Sequence, residues 1–196
     1  MNYKYTDKVI AYIDNRLIER FSRLKSLVSF DELNVMQEVN TLYAGMYVII
    51  RELFLQMANK VYKDNIRKRA LRTLDEQWLD EILNGYDPVS KYVFTAEMDR
   101  KCARLIEAIM ASSTKPQEVD AAMRSLSLMC HIYAVRVTDE AVLQALLDDD
   151  EDLVRWIAEK DGKTCPVCLG RDGRIYEIED LPSKPHINCR CRYERV

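Results

Sequence analysis

The stretch VLQALLDDDEDLVRWIAEKDGKTCPVC, residues 142–168, holds the point where the chain changes its periodicity. Up to Leu147 the apolar positions keep a helical spacing. After Asp152, Val154, Trp156 and Ala158 alternate with Arg155, Ile157 and Glu159, which predicts a strand. Between the two lies Asp148-Asp149-Asp150-Glu151-Asp152. This run lacks the glycine and the spaced ligands of a calcium loop, so it reads as a solvated break between two elements. The break divides the chain into residues 1–150 and residues 151–196.

Upstream, the pattern is helical throughout. Ile10, Ile13, Leu17, Phe21, Leu24 and Val28 recur at spacings of three and four, on one stripe. Met36, Val39, Tyr43, Met46, Ile50, Leu53, Met57 and Val61 form a longer, near-heptad stripe that predicts packing along a whole helix. Asp31 is placed to cap it. Leu71, Leu74, Trp78 and Ile82 mark a third helix, with Gly85 where a C′ residue would end it. Tyr86-Asp87-Pro88 reads as a loop, since the residue before proline avoids the α region. Phe94, Met98, Cys102, Leu105 and Ile109 form a fourth stripe. Ser112 to Pro116 is a break. Val119, Ala122, Leu126, Met129, Tyr133 and Val137 form a last long helix reaching towards Leu147.

Downstream, the composition is different. Residues 151–196 hold three of the five Gly (Gly162, Gly170, Gly173), three of the five Pro (Pro166, Pro182, Pro185) and four of the six Cys. Arg174 to Ile178 and Cys191 to Val196 are two further strand candidates. The expected fold is therefore α+β and predominantly α: an N-terminal helical bundle followed by a small three-stranded sheet.

Composition excludes several classes. With 48% hydrophobic residues the 196-residue chain is not a disordered polymer. A net charge of −3 and a pI near 5.6 argue against coating nucleic acid by bulk charge. The start MNYKYTDKVIAY has no apolar h-region, so no secretory signal is expected. No apolar run reaches the ~18–20 residues of a membrane span. These features predict a soluble protein in a reducing compartment, where paired cysteines suggest metal before disulfide.

The cysteines of residues 151–196 fall in one motif, C-x2-C-x17-H-x2-C-x-C, from Cys165 to Cys191. A C-x2-C knuckle turns two thiolates towards one ion, and a second pair from a distant loop completes a tetrahedron. The preferred ligand set is Cys165, Cys168, His186 and Cys189, with structural Zn2+ as the cofactor; the rival set takes Cys191 in place of His186. A redox role for the C-x2-C is disfavoured. It would normally stand at a helix N-terminus, and Gly170 and Gly173 follow too soon for a helix. A segment with so few apolar side chains also needs a staple.

Other residues carry less. His131 has no ligand-spaced partner and reads as a core or boundary histidine. Cys102 and Cys130 are expected as buried thiols. The basic stretch Lys60, Lys63, Arg67, Lys68, Arg69 and Arg72 reads as a solvated face, and Arg190, Arg192 and Arg195 are candidates for phosphate contact. No Walker loop, G-x-S-x-G or H-E-x-x-H occurs, and no nucleophile–base arrangement suggests an enzyme.

Taken together, Trp156, Asp161, Cys165, Cys168, Asp172-Gly173, Tyr176, Pro182, Pro185 and His186 to Cys191 resemble the C-terminal signature of phage head morphogenesis proteins, the minor head (minor capsid) proteins similar to protein F of phage Mu. TLYAGMY (41–47) and YDPVSKYVFTAEMDRKCARLIEA (86–108) resemble the helical part of clostridial-type members. The resemblance implies a non-enzymatic, low-copy virion protein at the head interior or portal vertex, in the host cytoplasm during assembly. It implies the portal and other head proteins as partners, with DNA as a further candidate during packaging or ejection, and no membrane or small-molecule substrate. Residues 1–150, with the Met36–Val61 stripe, are expected to face the portal. The alternative expectation is a nucleic-acid-binding protein of zinc-ribbon type.

Overall fold

The computed structural model describes residues 4–22, 32–68, 72–111, 116–187 and 189–196. Helices α1 (Lys4–Ser22), α2 (Glu32–Asn65), α3 (Glu76–Asn84), α4 (Phe94–Ala111) and α5 (Pro116–Asp148) come first. Strands β1 (Tyr86–Asp87) and β2 (Tyr92–Val93) form a small hairpin between α3 and α4. Then follow β3 (Leu153–Ile157), the short helix α6 (Pro166–Arg171), β4 (Ile175–Glu177) and β5 (Arg192–Arg195). The chain is thus predominantly helical with a small antiparallel three-stranded sheet, ordered β4-β3-β5. Among the described residues no helix is long and apolar enough to cross a membrane.

Helix α5 is the axis of the bundle, packed by α1, α2 and α4. It buries Leu126, Met129, Tyr133 and Val137, but also Cys130, Ala134, Ala141, Val142 and Ala145. A helix apolar on nearly every side belongs at a core. Around it Phe94 lies 4.6 Å from the Tyr133 ring and 6.0 Å from that of Phe54. Thr6 of α1 meets Thr138 of α5 by a buried 2.7 Å hydrogen bond, so neither hydroxyl is stranded.

Several expectations shift. In α2 the inward row begins at Val35, while Met36 is exposed. Val39, Met46, Ile50, Met57 and Val61 are buried inside the bundle. The apolar length of this helix is spent on the core, leaving only Met36 and Val48 as its exposed large apolar side chains among the described residues. Tyr86-Asp87 is not a plain loop, because it pairs with Tyr92-Val93. The Asp87 carboxylate closes the turn by accepting from the N–H groups of Val89 and Ser90. Gly85 does end α3, but with extended backbone (φ −77°) rather than left-handed. Glycine is needed there because a Cβ would stand 2.7 Å from the Glu81 carbonyl oxygen. Helix α3 itself begins at Glu76, with Asp75 accepting from the Trp78 N–H. Asp31, Leu24, Val28, Leu71 and the break at 112–115 lie outside the described residues.

The acidic run is a break between α5 and β3 as expected, with Asp150 and Asp152 exposed, but Asp148 and Asp149 are engaged rather than solvated. Asp150 is left-handed (φ 59°), the Asp150 N–H donates to the Leu147 carbonyl, and that of Glu151 to Leu146. This is a Schellman closure of α5, with aspartate where glycine is usual. Asp148 accepts from Tyr62 Oη (2.7 Å) and Arg72 Nε (3.1 Å). Asp149 accepts from the backbone N–H groups of Arg67 (2.8 Å) and Lys68 (2.9 Å) and pairs with Arg195. Lys68 pairs with Asp150. Part of the basic stretch after α2 is therefore neutralised by the end of α5, which locks the exit of α2 to the entry of the sheet.

The sheet turns Val154, Trp156 and Tyr193 inward. Trp156 and Tyr193 meet edge to face at 5.5 Å, and Arg171 lies over the indole at 4.9 Å. Strand β5 lies against α5, and one continuous buried cluster includes both bundle and sheet side chains.

Candidate metal centre

The first knuckle is built on α6. Cys165 is its N-cap and Pro166 opens the helix, where a missing N–H costs nothing. The expectation that Gly170 and Gly173 leave no room for a helix is overturned. Gly170 is accommodated within six helical residues, and Gly173 lies beyond them with φ +74°. The turn aims both thiols the same way: Cys165 Sγ accepts from the Cys168 N–H at 3.4 Å. N–H···S bonds of this kind stabilise thiolate over thiol. The Cys165 thiol is accordingly held below its ordinary pKa, first by the Cys168 N–H and with help from that of Val167.

The second knuckle is the turn before β5, where the Cys189 N–H donates to the His186 carbonyl at 3.1 Å. Cys189 and Cys191 are both buried, on either side of exposed Arg190. Arg190 reaches back to Asp161 in the first loop and ties the two knuckles together.

The two loops converge on Cys168. Its sulfur is 3.5 Å from that of Cys189. The ligand atoms of Cys165, Cys168 and His186 lie within 4.8 Å of one another, and so do those of Cys168, Cys189 and Cys191. All five candidates line one cavity of about 10 Å³, roughly the room of a single water or small ion. The fold thus brings together every ligand the spacing singled out, in two overlapping groups that share Cys168 and can hold a metal ion. Burial, and then the neighbouring sulfurs of Cys191, Cys165 and Cys189, push the Cys168 thiol well above its ordinary pKa. Burial also raises Cys189, opposed by the Cys191 N–H.

The other cysteines stand apart, both with raised thiols. Burial lifts Cys102 to about 11 and Cys130 to about 12. His131 has the partner that the sequence did not disclose. Its Nε2 is 2.9 Å from Asp14 Oδ1 on α1, and Ser127 Oγ is 3.2 Å from the same nitrogen. Because carboxylate and hydroxyl share one ring nitrogen, this is a clamp between α1 and α5 and not a hydrolytic relay. The arginines held open for phosphate are engaged by acids: Arg190 by Asp161, Arg192 by Glu159 and Glu194, Arg195 by Asp149 and Glu151. Asp161 and Asp172 entered the sequence reading only as part of the family resemblance, and their supporting role was missed. Asp172 accepts from the Ala158 N–H and pairs with Lys160, which fixes the loop entering the first knuckle. The only signal was their place beside Gly162 and Gly173.

No family model, curated protein or solved structure matches this chain.

Proposed function

We propose that this chain is a non-enzymatic structural protein of a phage head. It associates with the portal during procapsid assembly, and its C-terminal module is stapled by one zinc ion. The observation that carries the metal part is the convergence of four thiols and an imidazole, from two loops, on an ion-sized cavity. Soft thiolate and imidazole ligands suit zinc, and four protein ligands leave no open position for catalytic water. Cys165, Cys168 and Cys189 supply three positions, with His186 as the preferred fourth and Cys191 as its rival. The ion supplies a cross-link and no chemistry. The head-protein part is supported by the residues of the C-terminal signature, from Trp156 to Cys191.

Elemental analysis of the purified chain tests the first part, with one zinc per chain expected. Metal-free protein with all four tail thiols alkylated at once, yet a folded sheet, overturns it. Co-expression with the portal protein of the same genome tests the second, with a complex that survives gel filtration expected. No complex with the portal, together with salt-sensitive retention on DNA, replaces it with the nucleic-acid reading.

A further inference from the structure

We propose that the cavity between α5 and the 178–187 strap is a docking site for one basic side chain, lysine or arginine, carried by an apolar segment of a partner protein. It goes beyond the head-protein reading and stands independently of it. The cavity measures about 380 Å³, at the lower end of the ~300–1,000 Å³ of ligand sites. Its walls include Ile132 and Leu143 of α5, Leu181 of the strap and Trp78 of α3.

The charges facing this space do not balance. Asp87, Asp139 and Glu140 meet Arg136, Lys184 and His186, the last being the preferred fourth ligand of the metal centre and neutral in that role. Asp87 is occupied with the turn N–H groups of Val89 and Ser90. Asp139 is paired with Lys184, whose ammonium also lies 5.5 Å from the Tyr193 ring centroid. Arg136 lies over the Tyr133 ring and reaches the Gly85 carbonyl at 3.5 Å. Glu140 alone makes no hydrogen bond or ion pair among the described residues. Burial raises its carboxyl pKa, with Asp139 and Asp87 adding to the rise and Arg136 opposing it. A half-buried carboxylate that feels Arg136 but has no hydrogen-bonded counter-ion costs free energy, and a cation delivered beside it recovers part of that cost.

The apolar walls select a cation on a hydrocarbon stem over a hydrated metal ion. Leu147 and Ile187 line the same space while remaining 45% and 38% exposed. They offer contact to apolar residues flanking the basic one, which a free amine lacks.

The test is titration of the isotopically labelled, full-length, metal-loaded chain with acetyl-Leu-Arg-Leu-amide, followed by amide chemical shifts. Shifts confined to the residues that line the cavity, within 132–147 and 178–187 and at 78, 87–89, 189 and 193, are expected. The citrulline counterpart, isosteric but neutral, should bind at least about tenfold more weakly. Glu140→Gln should reduce arginine-peptide affinity about tenfold and abolish that preference, and Leu147→Ser should weaken both peptides. Equal binding of the two peptides, an unaffected Glu140→Gln variant, shifts elsewhere or no binding at millimolar peptide would each overturn the site. Agmatine binding as tightly as the tripeptide would overturn the peptide occupant in favour of a small cation.

Discussion

In the bundle, α5 is enclosed by three helices, and its buried face is filled by Tyr133, Met129, Leu126 and small residues that let the neighbours approach. In residues 151–196, seven apolar side chains are buried among those described, and three of them are cysteines. The bundle can therefore hold itself by apolar contact, whereas the tail has put thiols where a core would otherwise be. The difference teaches that the two regions should respond to different perturbations: cavities and overpacking in one, and in the other, on the zinc reading proposed above, loss of metal. They are still not independent, because Tyr193 belongs to the same buried cluster and Arg195 grips the ends of α2 and α5.

The sharpest way to break the comparison is Cys168→Ser. Cys168 is the one sulfur common to both ligand groups, so its loss leaves Cys165 with His186 and Cys189 with Cys191 as two pairs that no shared ligand joins. Structural zinc contributes an apparent ~10–16 kcal/mol in small metal folds. Loss of bound metal and rapid hydrogen exchange throughout 153–196 are expected, while α2, α4 and the N-terminal half of α5 stay protected. Single His186→Ala and Cys191→Ser variants sharpen the assignment: the one that retains one zinc per chain is not the fourth ligand.

A smaller effect is expected at the joint. The side chains of Asp149 and Arg195 are only 2% and 11% exposed. Removing Asp149 leaves Arg195 with Glu151 alone and strands the Arg67 and Lys68 N–H groups, which together cost ~3–5 kcal/mol. Asp149→Ala should lower a single calorimetric transition by on the order of 10 °C. A shift confined to a separate tail transition would instead mean that bundle and tail melt as separate units.

What the sequence disclosed follows the same division. Helices with a full turn-by-turn stripe, such as Phe94 to Ile109, were legible because burial repeats every third or fourth residue. The sheet was legible because Val154, Trp156 and Ala158 alternate. The ligands were legible because metal geometry dictates short spacings. What stayed hidden depends on residues far apart in the chain. Nothing local says that Asp149 will receive the N–H groups of Arg67 and Lys68, or that His131 will meet Asp14. Runs of charge read as solvated unless the partner run is known to fold onto them.

Acid offers a gentler test of the same joint. Burial works to raise the Asp149 carboxyl, but the Arg67 and Lys68 N–H groups and Arg195 outweigh it and hold the pKa below the ordinary aspartate value. A carboxylate depressed on folding stabilises the native state above its unfolded pKa, about 3.9. That contribution fades as pH falls through the lower, folded value. Between pH 6 and pH 3 the urea midpoint of the wild type should therefore fall more steeply than that of Asp149→Asn. Metal loss is common to both proteins, so it cancels in the difference. Parallel curves would mean that Asp149 carries no charge-dependent part of the joint.

The smallest effect concerns Asp150, and its sign is opposite. The residue is left-handed at the C′ position of α5, where glycine meets no steric penalty. It also places a negative charge at the negative end of the helix dipole. Its one ion pair, with Lys68, is to a carboxylate 88% exposed, and such pairs contribute little. Against this, glycine gives the unfolded chain extra entropy worth ~0.4–1 kcal/mol. The balance favours Asp150→Gly by less than about 1 kcal/mol, or a rise of roughly 1–3 °C in Tm. The gain requires the Schellman turn to be held in place from both sides, by the bundle through Leu146 and Leu147 and by the tail through Glu151 and Arg195. The stabilisation should therefore shrink in a Cys168→Ser background, where the tail no longer fixes the turn. If it persisted undiminished there, α5 would be closing itself without help from the sheet that follows it.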